Sequence, residues 1–315
     1  MDENKGSLPI KYRPSTWDEF VGNEDTVRSL RSVLVRGAGR PHCIMFEGPS
    51  GCGKTTLALL AAQELGCSSE DLRKYNLADM RGIDTARTII QQARYTPLKG
   101  DVKIYILDEA HKMTNEFANA MLEVFEFTPD HVYFILCTTE PNKILPTIRN
   151  QRAQVFPVNR LTRPVMINFL KNVANKEGVQ FPEGHYKEMA NVSEGSPRAA
   201  LVIMDKIIDI EDDEAAYNAI ASAVFDEVEV KKIIDYLMAP GKKNWKTMAG
   251  MIKGLDLAGG KPEEIRVGMA RYFGSVLLNR GDAWTHKVMV VFGSEPWFYS
   301  GREKLIDALY ELCRQ

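Results

Sequence analysis

Residues 43–55 read CIMFEGPSGCGKT, and this stretch decides the fold of the 315-residue chain. Its apolar start predicts a buried strand, and the pattern GxxxxGK[ST] follows at once from Gly48 to Thr55. The next ten residues predict a helix. Glycines let the intervening loop curl so that its N–H groups point at phosphate oxygens, and the helix N-terminus adds partial positive charge. The stretch therefore predicts a phosphate-binding loop.

Two side chains of this loop carry the expected chemistry. Lys54 should reach the β- and γ-phosphates of a nucleotide, and Thr55 should ligate Mg²⁺. We interpret Cys52 as a small filler rather than a nucleophile or a ligand. A glycine-rich turn that matches by chance is the alternative, but the flanking strand and helix argue against it. The residues expected to bind nucleotide here are Gly48, Pro49, Ser50, Gly51, Cys52, Gly53, Lys54, Thr55 and Thr56.

A second strand-like run ends in Asp108-Glu109-Ala110-His111. A carboxylate at the end of a strand can hold Mg²⁺, and the next one can polarise an attacking water. Alone, such an end could be a solvated acidic turn; combined with the phosphate loop it predicts nucleotide hydrolysis, with Asp108 at the metal and Glu109 as the base. We interpret His111 as a helix-start or supporting residue, with metal ligation as the alternative.

The remaining sequence predicts an α/β part followed by helices. Near-continuous apolar runs that alternate with helical patterns indicate a parallel sheet covered on both faces. The predicted strands are residues 43–46, 102–107 and 132–137. The predicted later helices are residues 164–178, 185–192, 197–210, 262–280 and 303–312, with breaks at 240–241 and 259–260. We predict three domains, residues 1–160, 161–225 and 226–315.

Composition excludes several classes of protein. Hydrophobic residues make up 44% and charged residues 26%, which is typical of globular chains. No apolar run approaches the length of a membrane span, and residues 1–7 lack an apolar signal core, so we expect an intracellular protein without a membrane partner. Five scattered cysteines argue against a disulfide framework or a four-cysteine zinc module. Because the net charge is −2, binding of nucleic acid would need a local basic patch.

Several short segments, taken in order, resemble those of one family, the clamp-loader group of AAA+ ATPases. The segments are Lys11-Tyr12-Arg13-Pro14, Phe20-Val21-Gly22, the phosphate loop, NLADMRGID at residues 76–84 and the Asp108–His111 box. The KYRP and N-x-x-D-x-R-G-I-D segments are similar to those of replication factor C small subunits. The segment CTTEPNK at residues 137–143 is more similar to the bacterial motor subunit. The resemblance covers residues 8–210, and the rest matches only in length and helicity.

This resemblance implies an architecture and a function. The fold would be an AAA+ sheet domain, a small helical lid and an all-helical collar that joins subunits into a pentameric ring, of one or several kinds of chain. Such a subunit uses ATP and Mg²⁺ to open a sliding clamp and load it at a primer–template junction. The implied partners are the clamp, primer–template DNA and other loader subunits, in the cytoplasm or at the nucleoid.

The resemblance also implies roles for individual residues. Tyr12, Arg13 and Pro14 would line the adenine pocket, with Val21 and Gly22 nearby. Thr139 would be the first sensor of the γ-phosphate; an ordinary strand-end threonine is the alternative. Arg198, in the first turn of a helix that Ser196 and Pro197 begin, would be the second sensor. A cation there opposes the helix dipole unless an anion such as phosphate compensates it; a solvated surface arginine is the alternative.

The sequence departs from the family where an arginine finger should reach the ATP of the neighbouring subunit. The family has Ser-Arg-Cys, whereas this chain reads IRNQRA at residues 148–153. The spacing from Lys143 is also one residue longer than in the bacterial pattern. Arg152 is the first choice for the finger and Arg149 the second, and the alternative is that neither serves.

Contacts with DNA and clamp rest on weaker signals. Arg81, Arg87 and Thr114 lie near predicted helix starts, where arginine and threonine commonly contact phosphate, and the family places such helices along duplex DNA. The alternative is that they are solvated surface residues. Tyr95, Pro97 and Leu98 are a candidate edge for docking the clamp.

Other functions stay open at this stage. The chain could be another AAA+ machine, such as a branch-migration motor or a helicase loader, or a mainly structural loader subunit. The intact Lys54, Thr55, Asp108 and Glu109 argue against the structural role. The letters DEAH at residues 108–111 also suggest a helicase, but such helicases need two motor cores and this sequence has one phosphate loop.

In the last predicted helix, Leu305, Ala308, Leu309 and Leu312 form one apolar stripe. The stripe could face a neighbouring subunit or complete a core within the chain.

Overall fold

The computed structural model describes residues 6–37, 39–223, 228–255, 257, 261–293, 297 and 301–314. The chain divides into two compact units. Unit 1 comprises residues 1–180 and 194–202, and unit 2 comprises residues 181–193 and 203–315. The predicted break at 259–260 and the predicted boundary at 225/226 lie outside the described residues.

Unit 1 is built on a parallel sheet with strand order β2-β3-β4-β1-β5. The strands are β1 (Cys43–Glu47), β2 (Cys67–Asn76), β3 (Val102–Asp108), β4 (Val132–Thr138) and β5 (Gln154–Pro157). The helices up to residue 177 are α1 (Leu8–Lys11), α2 (Glu24–Leu34), α3 (Lys54–Glu64), α4 (Ile83–Ala93), α5 (Asn115–Glu126), α6 (Pro146–Arg149) and α7 (Arg163–Glu177). This arrangement confirms the predicted α/β class.

The sheet is covered on both faces because successive strand residues point to opposite sides. On β3, Ile104 and Ile106 pack with α2 and α3, whereas Tyr105 and Leu107 pack with α4 and α5. The central strands β1, β3 and β4 are therefore apolar almost throughout. The edge strands β2 and β5 are not among the predicted strands; both are more polar and only partly buried.

Unit 2 is helical in its described residues. Its elements are α8 (Glu183–Val192), the end of α9 (Pro197–Ile207), α10 (Asp213–Ser222), α11 (Val228–Met238), α12 (Trp245–Ile252), α13 (Lys261–Arg280), α14 (Ala283–Phe292) and α15 (Gly301–Cys313). The stripe of Leu305, Ala308, Leu309 and Leu312 is buried in the core of this unit, so it completes a core within the chain. The predicted division into three domains stays a prediction.

One negative result concerns membranes. Among the described residues, every helix is too short or too polar to cross a bilayer.

Candidate functional site

The loop from Gly48 to Thr55 joins β1 to α3 at the carboxyl edge of the sheet. Three of its glycines have positive φ, 151° at Gly48, 72° at Gly51 and 102° at Gly53. A Cβ at Gly48 would lie 2.0 Å from the Val158 carbonyl oxygen, and one at Gly51 would lie 2.2 Å from the Ser196 hydroxyl. A side chain at either position would therefore collide with residues of the same chain that pack against the loop, so the tight loop requires glycine there.

Lys54 is the first residue of α3, and its side chain folds back over the loop. Its Nζ donates hydrogen bonds to the carbonyl oxygens of Gly48 and Pro49, each at 2.7 Å. The residue is buried, and burial lowers the pKa of Lys54. The ammonium group thus lies inside the loop whose N–H groups and helix end favour an anion.

Thr55 and Asp108 meet across the sheet because β1 and β3 are parallel and end at the same edge. The Thr55 hydroxyl donates to Asp108 Oδ2 at 2.9 Å, and Lys74 Nζ lies 3.6 Å from the same oxygen. Asp108 Oδ1 accepts a bond from the backbone N–H of Glu109 at 3.1 Å. Hydroxyl and carboxylate oxygens are ligands that Mg²⁺ prefers. The chemistry of this pair fits the ion, although no cluster of three or more metal-binding side chains occurs in the described part of the chain.

Glu109 follows β3 in a left-handed conformation, with φ at 52°. A non-glycine residue in this region is uncommon, and here it turns the chain into the short 3-10 turn Ala110–Lys112. The Glu109 side chain is 40% exposed and lines the cavity beside the loop. This carboxylate is therefore open to a water molecule in the same cavity.

His111 is buried against the end of β4, behind Glu109. Its Nε2 lies 3.2 Å from Glu140 Oε1 and 3.5 Å from Glu109 Oε2, and its Nδ1 lies 3.3 Å from the Thr138 hydroxyl. Thr138 and Glu140 are absent from the sequence-based candidates. Thr138 is fully buried and its neighbour Thr139 is half-exposed, but nothing in the local sequence distinguishes these two threonines.

A cavity of about 360 Å³ lies beside the loop and gathers most of the predicted nucleotide site. The predicted residues that line it are Tyr12, Arg13, Pro14, Val21, Ser50, Gly51, Cys52, Gly53, Lys54, Thr55, Thr56, Asp108, Glu109 and Arg198. Lining residues that were not predicted to bind nucleotide are Pro9, Ile10, Glu19, Phe20, Phe169, Pro197 and Leu201. The structure therefore brings residues from distant parts of unit 1 together around one cavity beside the phosphate-binding loop.

Tyr12 is held at this cavity by the end of α7. Its hydroxyl donates to Glu177, which also pairs with Lys11 at 2.8 Å. Burial, followed by the hydrogen bond and the charge of Glu177, raises the pKa of Tyr12 to about 12. The phenol therefore stays a neutral donor, and its ring is fixed as one wall of the cavity.

Arg198 reaches the cavity from the first turn of α9. Ser196 caps this helix, because its hydroxyl accepts the Ala199 N–H at 3.3 Å, and Pro197 is the first helical residue. The Arg198 N–H donates to the Gly51 carbonyl at 3.4 Å. This bond joins the start of α9 directly to the phosphate-binding loop.

Several predicted residues lie outside the cavity lining. The carbonyl oxygens of Gly48 and Pro49 accept hydrogen bonds from Lys54. Gly22 packs closely against Leu161, since a Cβ at Gly22 would lie 2.3 Å from Leu161 Cδ2. Thr139 follows β4 and does not line the cavity.

The two candidate finger arginines are both paired within unit 1. Arg149 donates two hydrogen bonds to Glu47, at 3.1 and 3.2 Å. Arg152 pairs with Glu126 at 2.5 Å and donates to the Thr147 carbonyl at 3.0 Å. Neither lines the cavity.

Of the candidate DNA residues, Arg87 lies within α4, whereas Arg81 and Thr114 lie together at the start of α5. Thr114 caps this helix by accepting the Phe117 N–H at 3.2 Å, and its own N–H donates to the Arg81 carbonyl at 3.2 Å. The Arg81 and Arg87 side chains are exposed, and Arg87 pairs with Asp84 at 3.2 Å. The structure therefore leaves both arginine side chains exposed, one of them paired with a carboxylate.

Three features define an AAA+ P-loop protein. They are the parallel sheet with strand order β2-β3-β4-β1-β5, the phosphate loop after β1, and the pair of carboxylates at the end of β3. Solved structures agree: the RuvB Holliday junction branch migration motor of Thermotoga maritima matches with a TM-score of 0.57 at 20% identity, over 77% of this chain and 85% of that one. This likeness concerns the fold alone.

Sequence relatives identify the family within that class. The chain is 32% identical over 226 residues to the replication factor C small subunit of Methanococcus maripaludis, covering 70% of this chain and 71% of the relative. The chain belongs to the clamp-loader family of AAA+ proteins, which confirms the resemblance seen in the sequence.

Bacterial relatives and a family description agree with this assignment. The chain is 33% identical over 226 residues to DNA polymerase III subunit gamma/tau of Mycobacterium tuberculosis, covering 64% of this chain. It spans only 39% of the length of that relative. The family described as DNA polymerase III, delta subunit, matches residues 76–162.

Proposed function

We propose that this protein is an ATP-hydrolysing motor subunit of a sliding-clamp loader. The observation that carries the proposal is the convergence of Lys54, the Thr55–Asp108 pair and Glu109 on one cavity, in a chain of the clamp-loader family. The names of the relatives support replication as the setting, and hence an intracellular location. Sliding clamp, primer–template DNA and other loader subunits are the proposed partners.

The proposed chemistry follows from the groups around the cavity. Lys54 exchanges its two carbonyl partners for the β- and γ-phosphate oxygens, helped by the N-terminus of α3. Thr55 and Asp108 would hold Mg²⁺, which when bound neutralises charge on the phosphates. Glu109 accepts a proton from the attacking water. Tyr12, Phe169 and Leu201 enclose the adenine of ATP, and Arg198 contributes positive charge at the phosphates.

Four finer assignments belong to the same proposal. Thr139 senses the γ-phosphate at the end of β4, although its side chain is not part of the cavity lining. Arg152 leaves Glu126 to complete the site of a neighbouring subunit. Arg81, Arg87 and Thr114 contact DNA phosphates, and residues 161–225 and 226–315 act as lid and collar.

The experiment that tests the function measures ATP hydrolysis by the full chain, alone and with primed DNA and a panel of sliding clamps. We expect a clamp together with primed DNA to increase the rate. A four-way DNA junction is the comparison substrate, because a branch-migration motor would respond to the junction and ignore the clamp. The matched control is Glu109→Gln, which should bind ATP without turning it over. Stimulation by the junction alone, or equal turnover by Glu109→Gln, would refute the proposal.

A further inference from the structure

His111 occupies an unusual position behind the proposed base. Its side chain is only 3% exposed, and both ring nitrogens have polar neighbours within 3.5 Å. One neighbour, Glu109, belongs to the proposed site, whereas the other two, Thr138 and Glu140, lie at the end of β4. The imidazole therefore bridges two segments of the chain that meet at the carboxyl edge of the sheet.

Ionised carboxylates only accept hydrogen bonds, so the two that face Nε2 call for a proton on that nitrogen. The Thr138 hydroxyl oxygen accepts the Glu140 N–H at 3.1 Å, so its own O–H is available to donate to His111 Nδ1 at 3.3 Å. With Nδ1 as the acceptor, the neutral ring carries its proton on Nε2. That N–H faces two carboxylates, Glu140 at 3.2 Å and Glu109 at 3.5 Å.

Glu140 has a second partner that holds it in place. Its other oxygen, Oε2, pairs with Lys143 at 2.7 Å, and this hydrogen bond is the main reason that the pKa of Glu140 is lowered. The carboxylate is thus anchored in the 3-10 turn Pro141–Lys143 that follows β4. The Nε2–H of His111 consequently joins a fixed carboxylate to the half-exposed carboxylate of Glu109.

We propose that His111 is a positioning residue for hydrolysis: it orients the Glu109 carboxylate toward the cavity and couples it to the end of β4 through Thr138 and Glu140. This inference rests on the proposed function, since it assumes that Glu109 is the base. A misplaced base loses rate steeply, because proton transfer needs hydrogen-bond geometry to the attacking water. Substrate binding needs no such alignment, so the effect should fall on kcat.

The test is steady-state hydrolysis of MgATP by the full chain, with ATP binding measured separately by a fluorescent analogue. His111→Ala should lower kcat about tenfold and leave KM within about twofold. His111→Gln keeps an N–H donor close to the position of Nε2 and should recover most of the rate. Thr138→Val removes the hydroxyl that contacts Nδ1 and accepts the Glu140 N–H, but it leaves the imidazole in place. It should therefore lower kcat less than His111→Ala does.

A matched control separates positioning from simple loss of packing. His185 is also buried, in unit 2, where its Nε2 contacts the Asp213 carbonyl at 3.0 Å. His185→Ala removes a buried imidazole far from the site in sequence and should leave kcat per folded molecule unchanged. An equal loss of kcat in both alanine variants would overturn the proposal.

The double variant gives the sharpest result. If His111 acts through Glu109, adding His111→Ala to Glu109→Gln should not reduce the residual rate further. A further tenfold loss in the double variant, or a normal kcat in His111→Ala, would overturn the inference while Glu109→Gln still established the base. Normal turnover by Glu109→Gln would instead refute the proposed function and, with it, this inference.

Discussion

Asp71 is fully buried in the middle of edge strand β2, and its replacement by asparagine should loosen the loop that follows α4. The carboxylate accepts three backbone N–H bonds, from Leu98 at 2.5 Å, Lys99 at 2.9 Å and Gly100 at 2.8 Å. It also accepts the Ser68 hydroxyl at 2.6 Å. One side chain therefore satisfies three consecutive amides of a loop that lies 27 to 29 residues away in sequence.

The expected cost follows from these four bonds. In Asp71→Asn the single amide oxygen can keep the three bonds now made to Oδ2, but without the negative charge that strengthens them. The new NH₂ group then faces the N–H of Leu98, so that neither of these two buried donors has an acceptor there. Hydrogen bonds to charged groups contribute about 1.5–3 kcal/mol and a buried unsatisfied donor costs about 1–3 kcal/mol, so we expect a loss of about 3 kcal/mol.

The same carboxylate sets a dependence on pH. Burial works to raise the pKa of Asp71, but the N–H groups of Gly100, Leu98 and Lys99 and the Ser68 hydroxyl hold it well below its usual range. Its stabilising contribution is therefore complete above the unfolded-state pKa of about 3.9 and is lost as the pH falls toward the lower folded-state pKa. The difference between Asp71→Asn and the wild type should be constant from pH 7 to about pH 5 and shrink below pH 4.

Amide hydrogen exchange of residues 98–100 is the direct assay, since these hydrogens bond to the carboxylate itself. A loss of about 3 kcal/mol corresponds to exchange faster by about two orders of magnitude, where local opening limits exchange. The matched control is Asp84→Asn, at an exposed carboxylate whose pair with Arg87 should contribute under about 1 kcal/mol. Unchanged exchange at residues 98–100 in Asp71→Asn would refute the reasoning.

Three further outcomes test the site. Lys54→Ala should weaken ATP binding by more than tenfold, whereas Glu109→Gln should retain binding and lose about 10²-fold in kcat. Equilibrium binding and single-turnover hydrolysis distinguish these two defects, and identical defects in both variants would contradict the assigned roles. Tyr12→Phe removes the bond to Glu177 and should raise the Kd for ATP by about threefold at unchanged kcat. A fall in kcat with an unchanged Kd would disprove this role of Tyr12. Arg152→Ala should remove DNA- and clamp-stimulated hydrolysis, a loss of about 10³-fold if the finger is essential, while binding of ATP to the isolated chain persists; full stimulation would exclude Arg152 as the finger.

The central strands were predictable because each is buried on both faces, so that nearly every residue is apolar. Strand β2 was not, since its sequence CSSEDLRKYN includes a buried aspartate that is stabilised by amides of a distant loop. Strand β5 is only four residues long and ends in Pro157. Local pattern thus predicts strands whose environment is uniform and misses those stabilised by contacts from elsewhere in the chain.

The site divides in the same way. Lys54, Thr55, Asp108 and Glu109 could be chosen as candidates from the sequence because phosphate and Mg²⁺ chemistry demands fixed residue types at fixed spacing, and the structure places them at one cavity. Glu177, the partner of Tyr12, lies 165 residues further along the chain in an unremarkable helical stretch, and no local spacing marks it. Supporting residues of this kind are determined by tertiary packing and become visible only in the folded structure.

The choice between Arg152 and Arg149 as the finger can be argued from their partners. A finger must exchange its own acidic partner for the phosphate of a neighbouring subunit. Arg149 would give up two hydrogen bonds to Glu47, whose side chain is 19% exposed and which directly precedes the phosphate loop. Arg152 would leave Glu126, whose side chain is 51% exposed and can be rehydrated readily. Exposure of the acidic partner therefore favours Arg152. Exposure of the arginine itself, 32% for Arg149 and 17% for Arg152, favours Arg149, and Arg152 would also give up its bond to the Thr147 carbonyl. Assaying Arg149→Ala beside Arg152→Ala decides between the two.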